Sequence, residues 1–175
     1  DELNALLANA ADIIPLLGNL LRAVCYLLGI VIVVKSLLLA VRRSELGVQA
    51  GSWASPITGF LIGTSFLAFP EAVSVGLESI FGSSSISSPS AIFAYGDSLL
   101  QQSRTPFALQ IVESFAMLAQ LLGYIAFARG LFLLNAASAN GGVKSFGPGA
   151  TFIVAGIAAV NFPEFFNLLA GLAVN

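Results

Sequence analysis

Along the chain, long apolar stretches alternate with short polar ones, at a spacing that suits helices crossing a bilayer. A helix needs about 20 predominantly apolar residues to span the hydrocarbon core. The first such segment runs from Ile13 to Val41 and contains the unbroken apolar stretch Tyr26 to Val34. Pro15 sits near its start, where a missing N–H costs little. A polar stretch from Arg42 to Gly51 then turns the chain. The second segment covers Pro56 to Ile80, and Pro70 and Glu71 inside it predict a kink or an end to its membrane portion. Gly82 to Ser90 is a polar linker ending in the helix-start pair Ser88-Pro89. A short amphipathic helix is expected over Ser90 to Ser103, closed before Pro106. The third segment runs from Phe107 to about Ala137, and Asn135 to Gly149, rich in Gly, Asn and Ser, makes the second turn. The fourth runs from Ala150 to Val174, with Pro163 and Glu164 inside it. The pattern predicts an all-α membrane protein: two tandem helical hairpins built from four long apolar helices, plus a short linker helix. Its divisions are 1–81 for the first hairpin, 82–105 for the linker and 106–175 for the second.

The two hairpins match each other in order. Leu27-Leu28-Gly29 recurs 94 residues on as Leu121-Leu122-Gly123, and at the same offset Lys35 meets Arg129, Ser44 meets Ser138 and Gly47 meets Gly141. One deletion in the turn changes the offset to 93, after which Trp53 meets Phe146, Gly63 meets Gly156, and Phe69-Pro70-Glu71 meets Phe162-Pro163-Glu164. Chance sharing among apolar helices accounts for the leucines. It does not account for a basic residue and a Phe-Pro-Glu triplet recurring in one order, which points to duplication of a hairpin.

Composition narrows the chemistry. Only 9% of residues are charged and mean hydropathy is +0.93, whereas a soluble globular chain carries about 25% charged residues. The net charge of −2 argues against nucleic-acid affinity from bulk charge. Histidine is absent, which removes the usual general base and the usual metal ligand. With one cysteine, Cys25, no intrachain disulfide can form. A zinc site would need carboxylates alone, which zinc rarely uses, so no metal is expected. Carboxylate-only chemistry inside a membrane stays possible, but Asp1, Asp12 and Asp97 are the only aspartates and none is mid-span. The chain therefore reads as non-enzymatic.

The seven basic residues sort by side. Arg42, Arg43 and Lys144 fall in the two turns, and Lys35 and Arg129 lie near the ends of the first and third spans, within snorkelling reach of the same side. Arg22 and Arg104 remain for the opposite side, together with Asp1, Glu2, Asp12, Glu71, Glu78, Asp97 and Glu164. The positive-inside rule puts both turns in the cytoplasm and both termini outside. A first residue other than Met, Asp1, agrees with this if it follows a cleaved leader.

A small, very apolar hairpin with outside termini and a basic inside turn resembles the pilins of type IV secretion and conjugation systems. The duplicated form departs from single-hairpin pilins. Together with the segments Leu-Leu-Gly-x5-[Lys/Arg] and Gly147 to Gly156, it is similar to small membrane proteins of type IVB (Dot/Icm-like and IncI-plasmid-like) transfer systems. The resemblance implies a subunit that waits in the bacterial inner membrane after signal cleavage. It is then extracted with phospholipid into a hollow helical filament, an extracellular pilus made of copies of itself. Carried over, Arg42, Arg43 and Lys144 would line the lumen, where single-stranded DNA passes, and Lys35 and Arg129 would lie near lipid headgroups. Other secretion components would be its partners. Gly59, Gly63 and Gly156 are candidates for close helix packing.

Two rival functions stay open. One is a fixed inner-membrane component of the same machinery. The other is a channel or transporter with a polar pathway through Glu113, Gln120 and Arg129, although Glu113 lies only seven residues from Pro106, where an interfacial position explains it equally well. The topology carries its own expectation. Cysteines introduced at positions 42 and 175 label from opposite sides of the membrane with an impermeant thiol reagent, and labelling from one side would overturn the orientation.

Overall fold

The computed structural model describes residues 2–47, 53–86, 106–139, 146–165 and 168–169. Their regular structure is entirely helical: α1 (Glu2–Leu46), α2 (Ala54–Leu67), α3 (Phe69–Phe81), α4 (Pro106–Ala139) and α5 (Gly147–Val160), with a further helical turn at 162–165. The expected linker helix over Ser90 to Ser103 lies outside the described residues.

The four long helices of the sequence reading become two among the described residues. Leu16–Leu46 of α1 and Ser114–Ala139 of α4 are long and apolar enough to cross a membrane. The spans expected over Pro56 to Ile80 and Ala150 to Val174 are both interrupted, at Ala68 and Asn161, one residue before each Phe-Pro-Glu. The cause is the proline. A helix running through Pro70 would need an N–H that proline lacks, and its ring would strike the preceding turn. The chain breaks at Ala68 and restarts with Pro70 in the first turn of α3, where no N–H is called for. The restart is turned by 100° from α2. What precedes each break is a helix of 14 residues, about 21 Å long against a hydrocarbon core of about 30 Å.

The internal match is written into the backbone. Ala68 has φ −100° and ψ 48°, and Asn161, 93 residues on, has φ −114° and ψ 52°. Each donates its N–H four residues back, Ala68 to Thr64 O and Asn161 to Ile157 O. Each accepts four residues ahead, from Ala72 N and Phe165 N. The starts agree as well: Trp53 (φ −69°, ψ −10°) precedes α2 and Phe146 (φ −62°, ψ −14°) precedes α5.

Packing follows the same register. α1 lies antiparallel on α2, and α4 on α5, through glycines that let the backbones nearly touch. A Cβ added at Gly29 would stand 2.8 Å from Leu67 N and 3.0 Å from Gly63 O. One added at the matched Gly123 would stand 2.6 Å from Val160 N and 2.7 Å from Gly156 O. The pairs meet through α4, which runs along α1 and lies antiparallel on α2, with Thr58 beside Ser138 at one end and Phe69 beside Tyr124 and Phe127 at the other. Hence α1 and α4 run parallel, and both turns leave from one end of the bundle.

α3 lies across the other end. Phe69, Val73 and Leu77 recur every four residues on its buried face, while Glu71, Val75 and Glu78 face out. Gly76 presses so close to Ile157 that an added Cβ would come within 2.5 Å of Ile157 Cδ1. The helix stops at Gly82, whose φ of 72° is the left-handed cap that glycine takes without strain. The buried side chains of α1, α2, α3, α4 and α5 form one continuous cluster centred on Phe66, Phe69, Leu77, Phe127 and Ile157.

Two glycine substitutions separate close packing from helix propensity. Gly156→Ala puts a methyl 2.6 Å from Phe127 N, where backbone must move, and should destabilise the bundle by about 1–3 kcal/mol. Gly18→Ala, with nothing within 4 Å of the added Cβ, should be neutral or stabilise by up to about 1 kcal/mol. Reversible unfolding in mixed micelles measures both, and equal effects would show that the crossing is not tight.

Candidate functional site

The basic residues are distributed over distinct surfaces. Lys35 and Arg42 stand two turns apart on one face of α1, about 10 Å along the axis, and line a shallow groove with Leu38, Leu39, Val41 and Glu45. Arg43, next to them, is half-buried, and its Nη1 is shielded from solvent with no hydrogen-bond partner among the described residues. Lys144 lies outside the described residues. Arg129 holds its guanidinium carbon 5.0 Å from the centre of the Phe152 ring, a cation–π contact made across α4 and α5. The position matching Phe152 in the first pair is Gly59, so the equivalent ring is missing beside Lys35, which lines a cleft with Phe132 instead. Lys35 and Arg129 thus share a register and differ in surroundings.

The three glycines singled out for packing all sit at helix crossings. An added Cβ would meet Ser36 Oγ at 2.5 Å at Gly59, Val33 N at 3.0 Å at Gly63, and Phe127 N at 2.6 Å at Gly156. Gly59 also lies near the second pair, with Asn135 Oδ1 3.8 Å from its added Cβ.

Gln120 and Arg129 do not line one path. Nine residues at about 100° each place them on opposite faces of α4. Gln120 donates to Tyr124 Oη at 3.3 Å and faces a cleft against α1, whereas Arg129 faces α5. The side chain of Glu113 lies outside the described residues.

Two polar sites join elements that the sequence reading treated separately. Near the turn end, a cleft of about 260 Å³ between α1, α2 and α4 is lined on its polar side by Lys35, Ser36, Ser55, Asn135 and Ser138. The Thr58 hydroxyl donates to Ala54 O at 2.7 Å, which leaves its oxygen to accept from the neighbouring Ser138 hydroxyl. Ser36 donates to Ile32 O at 2.8 Å within its own helix. At the far end, two adjoining clefts of about 230 and 320 Å³ share Gly18, Arg22 and Tyr124. Asn19 and Gln120 complete the polar wall of one, Ser74 and Ser84 that of the other. Helical spacing offered a partial signal: Asn19 and Arg22 are three apart, Gln120 and Tyr124 four apart, so each pair shares a face. That the two faces look at each other depends on the packing of α1 along α4. Hydroxyls, amides and single cations of this kind can hold anions and tie helices together.

The Thr58–Ser138 bond is a polar tie between α2 and α4, and a double-mutant cycle isolates it. Thr58→Val and Ser138→Ala should show a coupling of about 0.6 kcal/mol and no more than about 1.7 kcal/mol, the range for hydrogen bonds between membrane helices. Strict additivity would mean that the hydroxyls do not hold the pairs together. Comparison with protein-family models, with curated proteins and with solved structures returns no match to this chain in any of the three.

Proposed function

We propose that this chain is a structural, non-catalytic membrane subunit that assembles with copies of itself and with phospholipid, in the manner of the conjugative pilins of type IV secretion systems. The observation that carries the reading is the surface of α1. Its buried stripe is narrow, running Cys25, Gly29, Ile32 and Ser36, while Leu27, Val31, Val34, Leu38 and other large apolar side chains around it are exposed. Contiguous apolar surface on this scale needs lipid or another subunit over it. In a bilayer the tails supply that cover. In a filament drawn out of the bilayer, neighbouring copies and retained phospholipid would, with anionic headgroups near Lys35 and Arg129.

On this reading the chain waits in the bacterial inner membrane after removal of a leader, works with other secretion components, and ends in an extracellular pilus. Arg42, Arg43 and Lys144 at the turns face the lumen, where each positive charge adds salt-dependent attraction for a passing single strand of DNA. The exposed Arg42 contributes little folding energy, and Arg43 acts from a half-buried place in the wall.

A second reading, a fixed inner-membrane component of the same machinery, is favoured by one observation. α3 turns 100° from α2 and lies across one end of the bundle, its apolar face packed on the other helices and Glu71 and Glu78 outward, so that a subunit seated in a bilayer presents this acidic rim at the interface.

Sheared cell-surface material separates the two. A pilin appears there as filaments with about one or more phospholipids per subunit by mass spectrometry. A fixed component stays wholly in the membrane fraction. If filaments form, combined Arg42→Gln, Arg43→Gln and Lys144→Gln should leave their number per cell unchanged and lower nucleic-acid transfer. Loss of the filaments would assign the three residues to assembly instead.

A further inference from the structure

The internal match has a consequence for how copies of the chain meet. The contact between the two helix pairs uses different surfaces on each: α4 of the second pair lies against α2 of the first and also runs along α1. On α2 it comprises Thr58, beside Ser138, and Phe69, against the rings of Tyr124 and Phe127 at 6.2 and 5.7 Å between centroids. Ile62 and Phe66, between them on α2, are buried in the cluster that also holds Phe127 and Leu131. A contact of this heterologous kind leaves one copy of each surface unused. Among the described residues, the α2-like surface of the second pair and the α4-like surface of the first meet no further helix pair.

Among the described residues both surfaces are largely open, although Ala159, which matches Phe66, and Val33, which matches Phe127, are half-buried. On α5 the residue matching Thr58 is Thr151, and it is exposed. Its hydroxyl bonds back to Gly147 O at 3.0 Å, as that of Thr58 does to Ala54 O at 2.7 Å. The residue matching Ile62 is Ala155, exposed where Ile62 is buried. Phe69 is 3% exposed, and its match Phe162 is 43% exposed. Thr151, Val154, Ala155 and Ala158 line an open groove along α5. On α1 the residues matching Tyr124, Leu131, Asn135 and Ser138 of α4 are Ile30, Leu37, Val41 and Ser44, and all four are exposed. They fall on one face, at the helical spacing of the α4 stripe.

We propose that the occupant of the α5 groove is α1 of a second copy of this chain, docked as α4 docks on α2 within one copy. Ser44 of one copy then stands beside Thr151 of the next, as Ser138 stands beside Thr58, and Phe162 is covered near Ile30 as Phe69 is covered by Tyr124. The contact does not pair a surface with itself, so each added copy leaves the same two surfaces free and assembly propagates, as a ring or a helical filament according to the rotation per step. Within such an assembly every hairpin meets its neighbours in the same way, whether the join lies inside a chain or between chains. The inference deepens the self-assembling reading above and rests on it.

Disulfide trapping in native membranes tests the contact. Chains carrying Ser44→Cys and chains carrying Thr151→Cys, expressed together and oxidised, should give a linked dimer, and neither chain should dimerise alone. Both substitutions in one chain should give a ladder of linked multimers. Ala155→Trp, which fills the groove from outside the bundle, should reduce the ladder at least tenfold with helicity unchanged. A chain carrying Thr58→Cys and Ser138→Cys, which closes the equivalent internal bond, verifies that the oxidation works. No mixed dimer while that control closes, or equal dimers from the Ser44→Cys chain alone, would overturn the contact. Light scattering in mild detergent distinguishes the two levels of failure. Oligomers without the 44–151 link would overturn this contact and leave self-assembly standing, whereas a monomer throughout would overturn both.

Discussion

The rest of the structure depends on the near-contact of backbones where glycines of paired helices face each other. Lipid tails are as apolar as leucine, so two membrane helices gain little from hiding apolar side chains against one another. What remains is dispersion between closely fitted surfaces, and that falls off steeply with a gap of less than an ångström. At Gly29 against Gly63, and again at Gly123 against Gly156, the missing Cβ brings main chain to main chain at distances no other residue allows. Once each pair is set at that distance, the remaining stripes follow. Cys25, Ile32 and Ser36 turn inward on α1, and every other face of that helix is left to lipid or to neighbours.

The two prolines of the Phe-Pro-Glu triplets convert what would have been ordinary hairpins into something shorter and broader. α2 and α5 end after 14 residues each, about two-thirds of the thickness of a bilayer core. For α2, the bend spares the chain a long partly unsatisfied helix end. The Ala68 N–H still finds Thr64 O and its carbonyl takes Ala72 N, so the break leaves few polar groups bare in an apolar setting. At the matching break the exposed Ala68 is replaced by Asn161, which is fully buried and reaches across to Ser85 O at 3.4 Å. The same turn is therefore used twice, once at a surface and once as a buried polar tie to the segment that follows α3.

The two matching halves also have unequal roles. Phe69 and Phe162 hold matching positions, yet among the described residues Phe69 is packed on the other helix pair and Phe162 is exposed. The same holds for Ser138 and Ser44, one hydrogen-bonded across the bundle and the other exposed. The side chains differ accordingly: Ile62 and Phe66 fill the joined face where Ala155 and Ala159 stand on the other.

The sequence by itself determined the helical character, the membrane setting and the internal match. Apolar runs such as Tyr26 to Val34 are legible in one dimension, because a helix satisfies its own backbone whatever surrounds it. The triplets at Phe69 and Phe162 marked where continuity was in danger, since proline's missing N–H is a local fact. The sequence did not determine that the chain would break fully at Ala68 and turn by 100°. A kinked span and a bent foot satisfy the same local chemistry, and the choice is made by Phe69, Val73 and Leu77 finding Tyr124, Phe127 and Ile157 to cover. Nor could it bring Thr58 to Ser138, Arg22 to Tyr124, or Arg129 over Phe152, or part Gln120 from Arg129 as a common path. Those relations join residues on different helices, and the azimuth of one helix about another is decided only when their surfaces interlock.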